Sequence, residues 1–449
     1  MRSLSTQQLT RRRLSSGKGA RSGSLYLILA VGVSGLLTYA FQFISTQSLG
    51  LERYGALATL WSATFLVAQV LWTGITQMLG RHIAEREARG EGWEEVTFSA
   101  RRLQLLLLCG FLIATAVASP ALIRLFGDWK LTAAFVLAIA GYAHGYYRRG
   151  VLSGHRQFVR LSGIFVVESA GRVLIAAILL AAGAGTVGAA MGIALAPLLS
   201  VWIIRVGSIE PPKRPGSSFS IGGALGFAAP VLLCSACAQA LANGGPLLVS
   251  ALGGAEAKRQ AGLLFAGLIL TRAPQYVLSP TIANLLPHLS RLAALNDRQG
   301  FDLFVRRAVG VMSIAGAALI LVTWLLGERI MPFFGSEFRL GRGLLTVLAV
   351  VAAFYLVAEL LNQVLFARGL ARLAAMGWLL GICATGLATW LLDGADLLER
   401  VSYGLAAGTL STVLALAAFH WLTLNRLALS AESPDVEDPI EVEALDPEA

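Results

Sequence analysis

The 449-residue chain is 56% hydrophobic and 14% charged, with a mean hydropathy of +0.69. Soluble domains carry about a quarter charged residues, so a chain of this composition needs lipid as its solvent. The formal charge of +10 comes from 36 Lys and Arg against 26 Asp and Glu; the bases fall in short loops, as segments facing anionic headgroups require, and give no ground for a nucleic-acid partner.

A basic tail over 1–23 carries Arg11, Arg12, Arg13 and Lys18. The apolar run behind it exceeds 20 residues and leads to no cleavage site and soluble domain, so it reads as a retained span and not a signal peptide. Runs of the roughly 20 apolar residues needed to cross hydrocarbon are expected at 24–46, 55–79, 103–126, 131–148, 163–183, 187–205, 220–250, 261–286, 307–327, 341–367, 373–392 and 401–424. The seventh and tenth are longer than a bilayer requires, which tilt, or a break at Pro230 and Gly244-Gly245-Pro246, would accommodate. An acidic tail over 425–449 follows, with eight acids between Glu432 and Glu448, and is expected to be disordered.

Orientation follows from the loop bases. With the N-terminus in the cytoplasm, 25 Lys and Arg fall in cytoplasmic segments and nine outside, while Arg172 and Arg272 lie within spans. Both termini are therefore expected inside a plasma or inner membrane. The domain reading is an N-terminal six-helix bundle over 24–205, a cytoplasmic linker over 206–219 and a C-terminal six-helix bundle over 220–424. The four cysteines all sit in apolar runs. Cys234 and Cys237 form a C-x-x-C without further ligands nearby, which reads as helix packing and not as a metal or redox site. Nucleophile triads, loop carboxylate dyads, phosphate-binding glycine loops and metal spacings are missing from the loops, so neither an enzyme nor a built-in ATPase motor is expected, and no cofactor is implied.

The two halves repeat each other. The second span runs into Gly80-Arg81-His82 and a polar stretch before Arg101-Arg102; the eighth runs into Leu286-Pro287-His288 and a polar stretch before Arg306-Arg307. The third span exits through Leu125-Phe126-Gly127-Asp128 and the ninth through Phe333-Phe334-Gly335-Ser336-Glu337. Ser153-Gly154-His155-Arg156 matches Arg368-Gly369-Leu370-Ala371-Arg372. The offset stays at about 205 to 215 residues and spans an even number of helices, so the halves share one topology and should be related by an axis along the membrane normal. The connectors near 81–102 and 288–306 are expected to be amphipathic surface helices. Between two such bundles a central cleft is expected.

These residues, with Leu49-Gly50-Leu51-Glu52-Arg53-Tyr54-Gly55 between the first two spans, Phe334-Gly335-Ser336-Glu337-Phe338 after the ninth and Ala367-Arg368-Gly369-Leu370-Ala371-Arg372 after the tenth, resemble the MATE-like multidrug/oligosaccharidyl-lipid/polysaccharide exporter (MOP) superfamily. The resemblance covers about 24–424 and is to its polysaccharide flippase branch. It implies an all-α membrane fold of about twelve spans and a polyprenyl-diphosphate-linked glycan carried from the cytoplasmic to the outer leaflet by alternating access. The lipid bilayer and polysaccharide assembly proteins would be partners, and H+ or Na+ coupling is left open. A drug or metabolite antiporter of the same superfamily is the alternative. A membrane glycosyltransferase or polymerase would want a large polar outer loop, which the expected topology does not provide.

Ionisable groups inside spans are costly and serve as functional hypotheses by default. Glu168 and Arg172 lie four apart in the fifth span, on one helix face, where they can neutralise each other or line a cleft. Arg272 is central in the eighth span, in a position similar to an arginine thought to face the diphosphate in lipid II flippases, and pairing with Glu359 is its structural alternative. The arginines that those flippases carry in their first two spans are missing between residues 22 and 52, which argues against lipid II. Glu359 shares its helix with Asn362 and Gln363. Gln239 and Asn243, with Gln42, Gln69, Gln77 and Asn284, could meet sugar hydroxyls or bond between helices. His144, near Tyr142, Tyr146 and Tyr147, reads as an interfacial packing residue. Arg148-Arg149 and Arg156-Arg160 read as topology determinants.

Overall fold

A computed structural model describes residues 6–207, 221–254, 256–283, 285–295 and 297–430. Among them every regular element is helical: α1 Thr6–Arg89, α2 Glu94–Val117, α3 Ser119–Phe126, α4 Trp129–Gly154, α5 Phe158–Ala181, α6 Gly185–Ile203, α7 Ile221–Leu252, α8 Ala257–Thr271, α9 Ala273–Ala283, α10 Leu286–Ala294, α11 Arg298–Ile330, a short 3-10 turn Met331–Phe334, α12 Arg342–Ala367, α13 Ala371–Leu391 and α14 Leu397–Ser430. In hydrocarbon every backbone polar group must be satisfied within the segment, which leaves helices as the solution for a chain of this pattern.

The twelve expected spans are all present. Nine described helices are long and apolar enough to cross a membrane, and the first of them contains two crossings. α1 breaks at Gly50, whose φ of 70° is left-handed and costs little only at glycine. The fourth span is α4, and the eighth is divided into α8 and α9 at Arg272. The third span is likewise divided at Ala118, where Pro120 falls in the first turn of α3, the position at which its missing N–H does no harm.

Several expectations are corrected. The connector over 81–102 is not a separate surface helix: beyond Gly50, α1 runs on without a further break to Arg89, with Arg81 bonded to Glu85 at 2.8 Å and Ile83 fully buried against Gly154 of α4. Nothing in that stretch breaks a helix until Gly90, at φ 68°. The second connector does hold a short helix, α10, whose Leu289 packs with Phe301, Val305 and Val364. α7 passes Pro230 and Pro246 without a break. α14 continues to Ser430, and no proline or acid interrupts it after Glu399. Residues 208–220, which hold most of the linker expected at 206–219, the chain after 430 and Asn284 lie outside the described residues.

Elements α1 to α6 pack mainly on one another, as do α7 to α14, and the halves meet chiefly where α1 lies against α7 and α8. Close approach depends on small residues, the usual means of helix association in lipid. On α13 and α14, a Cβ at Gly381 would overlap the Thr412 hydroxyl, and one at Gly408 the Thr385 hydroxyl. The bundle has a basic end, bearing Arg81, Arg86 and Arg101, and a far end, where Gly50, Gly127 and Gly335 turn.

Candidate functional site

Polar groups inside the membrane collect in two places. In the first half, Glu168 of α5 is 6% exposed and lies between two arginines. Arg172, one turn along α5, donates to it at 3.2 Å and to the Tyr142 hydroxyl at 3.2 Å. Arg149 of α4 donates to its other carboxylate oxygen. The backbone sets this up: a Cβ on Gly192 of α6 would come 2.8 Å from the Arg172 carbonyl, and one on Gly150 of α4 would come 2.8 Å from Leu79 of α1. Two cations around one anion leave a net single positive charge, and the Nε of each arginine has no protein partner. Aromatic faces take the remaining surface of the guanidiniums. Arg172 lies over Trp61 at 5.0 Å and Phe65 at 5.2 Å, and Arg149 over Tyr146 at 4.8 Å and Phe165 at 4.6 Å. Such contacts strengthen when the cation is desolvated. Trp61 in turn touches Phe265 of α8, at 6.3 Å between centroids, so one aromatic layer separates the triad from the other half.

Sequence reasoning found the Glu168–Arg172 pair and missed the third member. Arg149 stands in a run of two arginines at a helix end, which looks like a topology signal. Only Arg148 behaves so, bonding the Val201 and Ile204 carbonyls at the end of α6 at 2.9 Å each. The neighbouring Gly150, which lets α4 press on α1, was the available signal that Arg149 turns inward.

In the second half, Arg272 stands where α8 stops and α9 starts, 8% exposed, and donates to the Ala242 carbonyl of α7. Beside Ala242, Asn243 donates to Gln239 at 2.9 Å. Glu359 stands one turn after Tyr355 on α12, the helix that packs against both α8 and α9 on either side of Arg272. Tyr39 of α1 donates to the Ile269 carbonyl at 2.7 Å, less than one turn before Arg272. The structure thus brings Gln239, Asn243, Arg272 and Glu359 to one region and Glu168 and Arg172 to another.

Other amides have local uses. Gln42 accepts from Tyr54 at 3.0 Å, Gln69 accepts from Thr73 at 2.6 Å, and Asn362 of α12 accepts from the Trp378 indole of α13 at 3.1 Å. His144 is exposed on the bundle surface. Cys234 and Cys237 are free and buried, and no group of metal-ligating side chains occurs among the described residues. A cavity of about 700 Å3 on the seam is lined by apolar residues of α1, α2, α7 and α13, among them Val70, Gly110, Cys237, Ala240 and Ile382.

The family described as polysaccharide biosynthesis protein matches residues 20–293, more than half of the chain. The chain belongs to that family. The match runs through the first half and past Arg272, so both polar regions fall largely within it. Solved structures of low identity share the fold of this polysaccharide biosynthesis protein. A multidrug resistance MATE family transporter of the MOP superfamily in an inward-facing conformation is 17% identical, with a TM-score of 0.72 over 92% of this chain and 99% of that one. A MATE family transporter of the same superfamily in an outward-facing conformation is 15% identical, with a TM-score of 0.65 over 92% and 96%. The eukaryotic MATE transporter AtDTX14 is 15% identical, with a TM-score of 0.63 over 92% and 98%. No curated protein matches the sequence. Together these give the chain a multi-pass, all-helical membrane fold shared with those transporters, with two lobes of six spans related by a pseudo-two-fold along the membrane normal.

Proposed function

We propose that this polysaccharide biosynthesis protein is a flippase that carries a lipid-diphosphate-linked oligosaccharide from the cytoplasmic to the outer leaflet by alternating access. The basic end is then cytoplasmic, as the loop charges predict. The family supports the glycan, and the observation that carries the reading is the break of the eighth span at Arg272. Discontinuous helices near the midplane are where transporters of many folds place their substrate sites, because unwound backbone and helix ends supply polar groups inside lipid. Here the break places a buried guanidinium beside two amides, Gln239 and Asn243, and at the start of α9. A diphosphate cannot enter hydrocarbon without a compensating cation, and arginine matches phosphate oxygens in a bidentate fork. The amides offer donors and acceptors to sugar hydroxyls, while the prenyl tail stays in lipid.

The Arg149–Glu168–Arg172 triad adds fixed positive potential from the other lobe. Glu168 is held by two arginines, and we assign the response to a coupling proton or Na+ to Glu359 of α12. Replacing Arg272 with Ala is expected to lower translocation of the lipid-linked glycan while abundance in the membrane stays near normal. Unchanged translocation would remove Arg272 from the site.

A further inference from the structure

At the far end the two lobes hold each other by contacts that repeat across the pseudo-two-fold. α1 crosses α8 with Gly55 against Gly262: a Cβ on Gly262 would come 3.2 Å from the Gly55 Cα and 2.8 Å from the Leu51 carbonyl, and a Cβ on Gly55 would overlap the Lys258 carbonyl. Lys258 follows Leu51, and Gly262 follows Gly55, by the same 207 residues. Each glycine therefore lies beneath the carbonyl that stands one turn before its counterpart in the other lobe.

The turns that leave the third and ninth spans complete the arrangement. Leu51 N, at the start of the helix beyond the Gly50 break, donates to Glu337 at 3.2 Å, and Gln47 donates to the Phe333 carbonyl at 2.7 Å. Tyr54 packs edge-on to Phe338 at 5.5 Å. In the mirror position, the Lys258 ammonium rests on Gly127, in a polar cavity of about 230 Å3 lined also by Glu52, Phe126 and Asp128. Both turns read Phe-Gly with an acid close behind, Asp128 directly and Glu337 after Ser336, and both glycines have positive φ, 83° at Gly127 and 141° at Gly335. Phe126 and Phe334 are both buried. The Phe-Gly turn of each lobe thus receives the first turn of the helix that crosses from the opposite lobe.

We propose that these two Phe-Gly-acid turns are the paired clasps of the outer gate: Phe334-Gly335-Ser336-Glu337 holds the start of the second span, Phe126-Gly127-Asp128 holds the start of the eighth, and both release when the protein opens outward. The proposal rests on alternating access but not on the identity of the cargo. It accounts for the repeat of the two motifs as a consequence of symmetry, since one contact between lobes related by a two-fold generates its mate. A gate built this way closes on two points either side of the Gly55–Gly262 crossing, so loss of either clasp weakens closure without removing the hinge.

The test uses the full-length chain in cells, with its four native cysteines replaced by Ala and Ser250→Cys as reporter. Ser250 bonds Thr59 at 2.7 Å, one turn behind the crossing. A membrane-impermeant maleimide added outside is expected to label this position slowly. Glu337→Ala and Lys258→Ala are each expected to raise the rate by roughly tenfold, the effect of about 1.4 kcal/mol lost from the closed state, and the pair to raise it further. Labelling unchanged in both, at normal membrane abundance, would overturn the proposal. Should either variant fail to accumulate, Gln47→Ala, which removes only the bond to the Phe333 carbonyl, is expected to raise the labelling rate in the same direction; unchanged labelling would overturn it equally. Neither readout requires transport, so loss of the flippase reading would leave the gate assignment open to its own test.

Discussion

Glu168→Gln perturbs the first lobe with the least change of shape. The glutamine keeps the volume and one acceptor oxygen but removes the charge that two arginines share, leaving guanidiniums 10% and 5% exposed to repel each other across a few ångströms. Removing one partner of a buried ion pair costs about 3–5 kcal/mol, because the surviving charge has neither water nor counterion. Against a total stability of about 5–15 kcal/mol, that is a large share. The assay is equilibrium or kinetic unfolding of the detergent-solubilised protein, followed by tryptophan fluorescence; Trp61, stacked beneath Arg172, is a local reporter. Arg149→Met combined with Glu168→Gln should recover much of the loss, because removing both partners leaves one arginine bonded to Tyr142 instead of two unpaired cations. A Glu168→Gln protein as stable as the parent would mean that water reaches the triad, and the count of its charges would then carry no argument.

Further outcomes follow from packing and backbone geometry. Gly381→Leu drives a side chain into Thr412 and should separate α13 from α14, read as loss of monodisperse protein on gel filtration. Asn362→Leu removes the acceptor of the buried Trp378 indole and should cost about 1–2 kcal/mol in the same unfolding assay. Gly50→Ala places a Cβ at φ 70°, ψ 173°, a region nearly reserved for glycine, at about 1–3 kcal/mol; the Cβ itself meets only Glu337, at 3.9 Å, so a loss of stability of that size is expected from the backbone alone.

Legibility from sequence tracked the physics of each feature. Twelve spans could be read because hydrophobic length is a one-dimensional property, and the lobe repeat because the Phe-Gly turns and basic connectors recur at a fixed offset. Pairing of Glu168 with Arg172 follows from helical spacing alone. Arg149 escaped because its partner lies 19 positions away on the next helix, and its inward turn depends on how closely Gly150 lets α4 approach α1. The break at Arg272 escaped for a related reason: Pro274 removes a backbone donor just beyond it, but a single residue dropped from the helical run leaves the hydropathy unchanged. The connector over 81–102 misled in the other direction, since amphipathic periodicity is the same whether a helix lies on the membrane or continues a span beyond it. Contacts at the far end depend on two segments about 286 residues apart, Leu51 with Glu337, and no local pattern announces them.

The most direct test of the central claim is leaflet exchange by the purified protein in unilamellar vesicles. A fluorescent polyprenyl-diphosphate oligosaccharide is placed in both leaflets, and a membrane-impermeant reductant bleaches whatever reaches the outside. With protein present, bleaching is expected to go to completion, and Arg272→Ala vesicles to stop near the half reached by protein-free ones. Complete exchange of a small organic cation under an ion gradient, with the lipid-linked glycan static, would contradict the account.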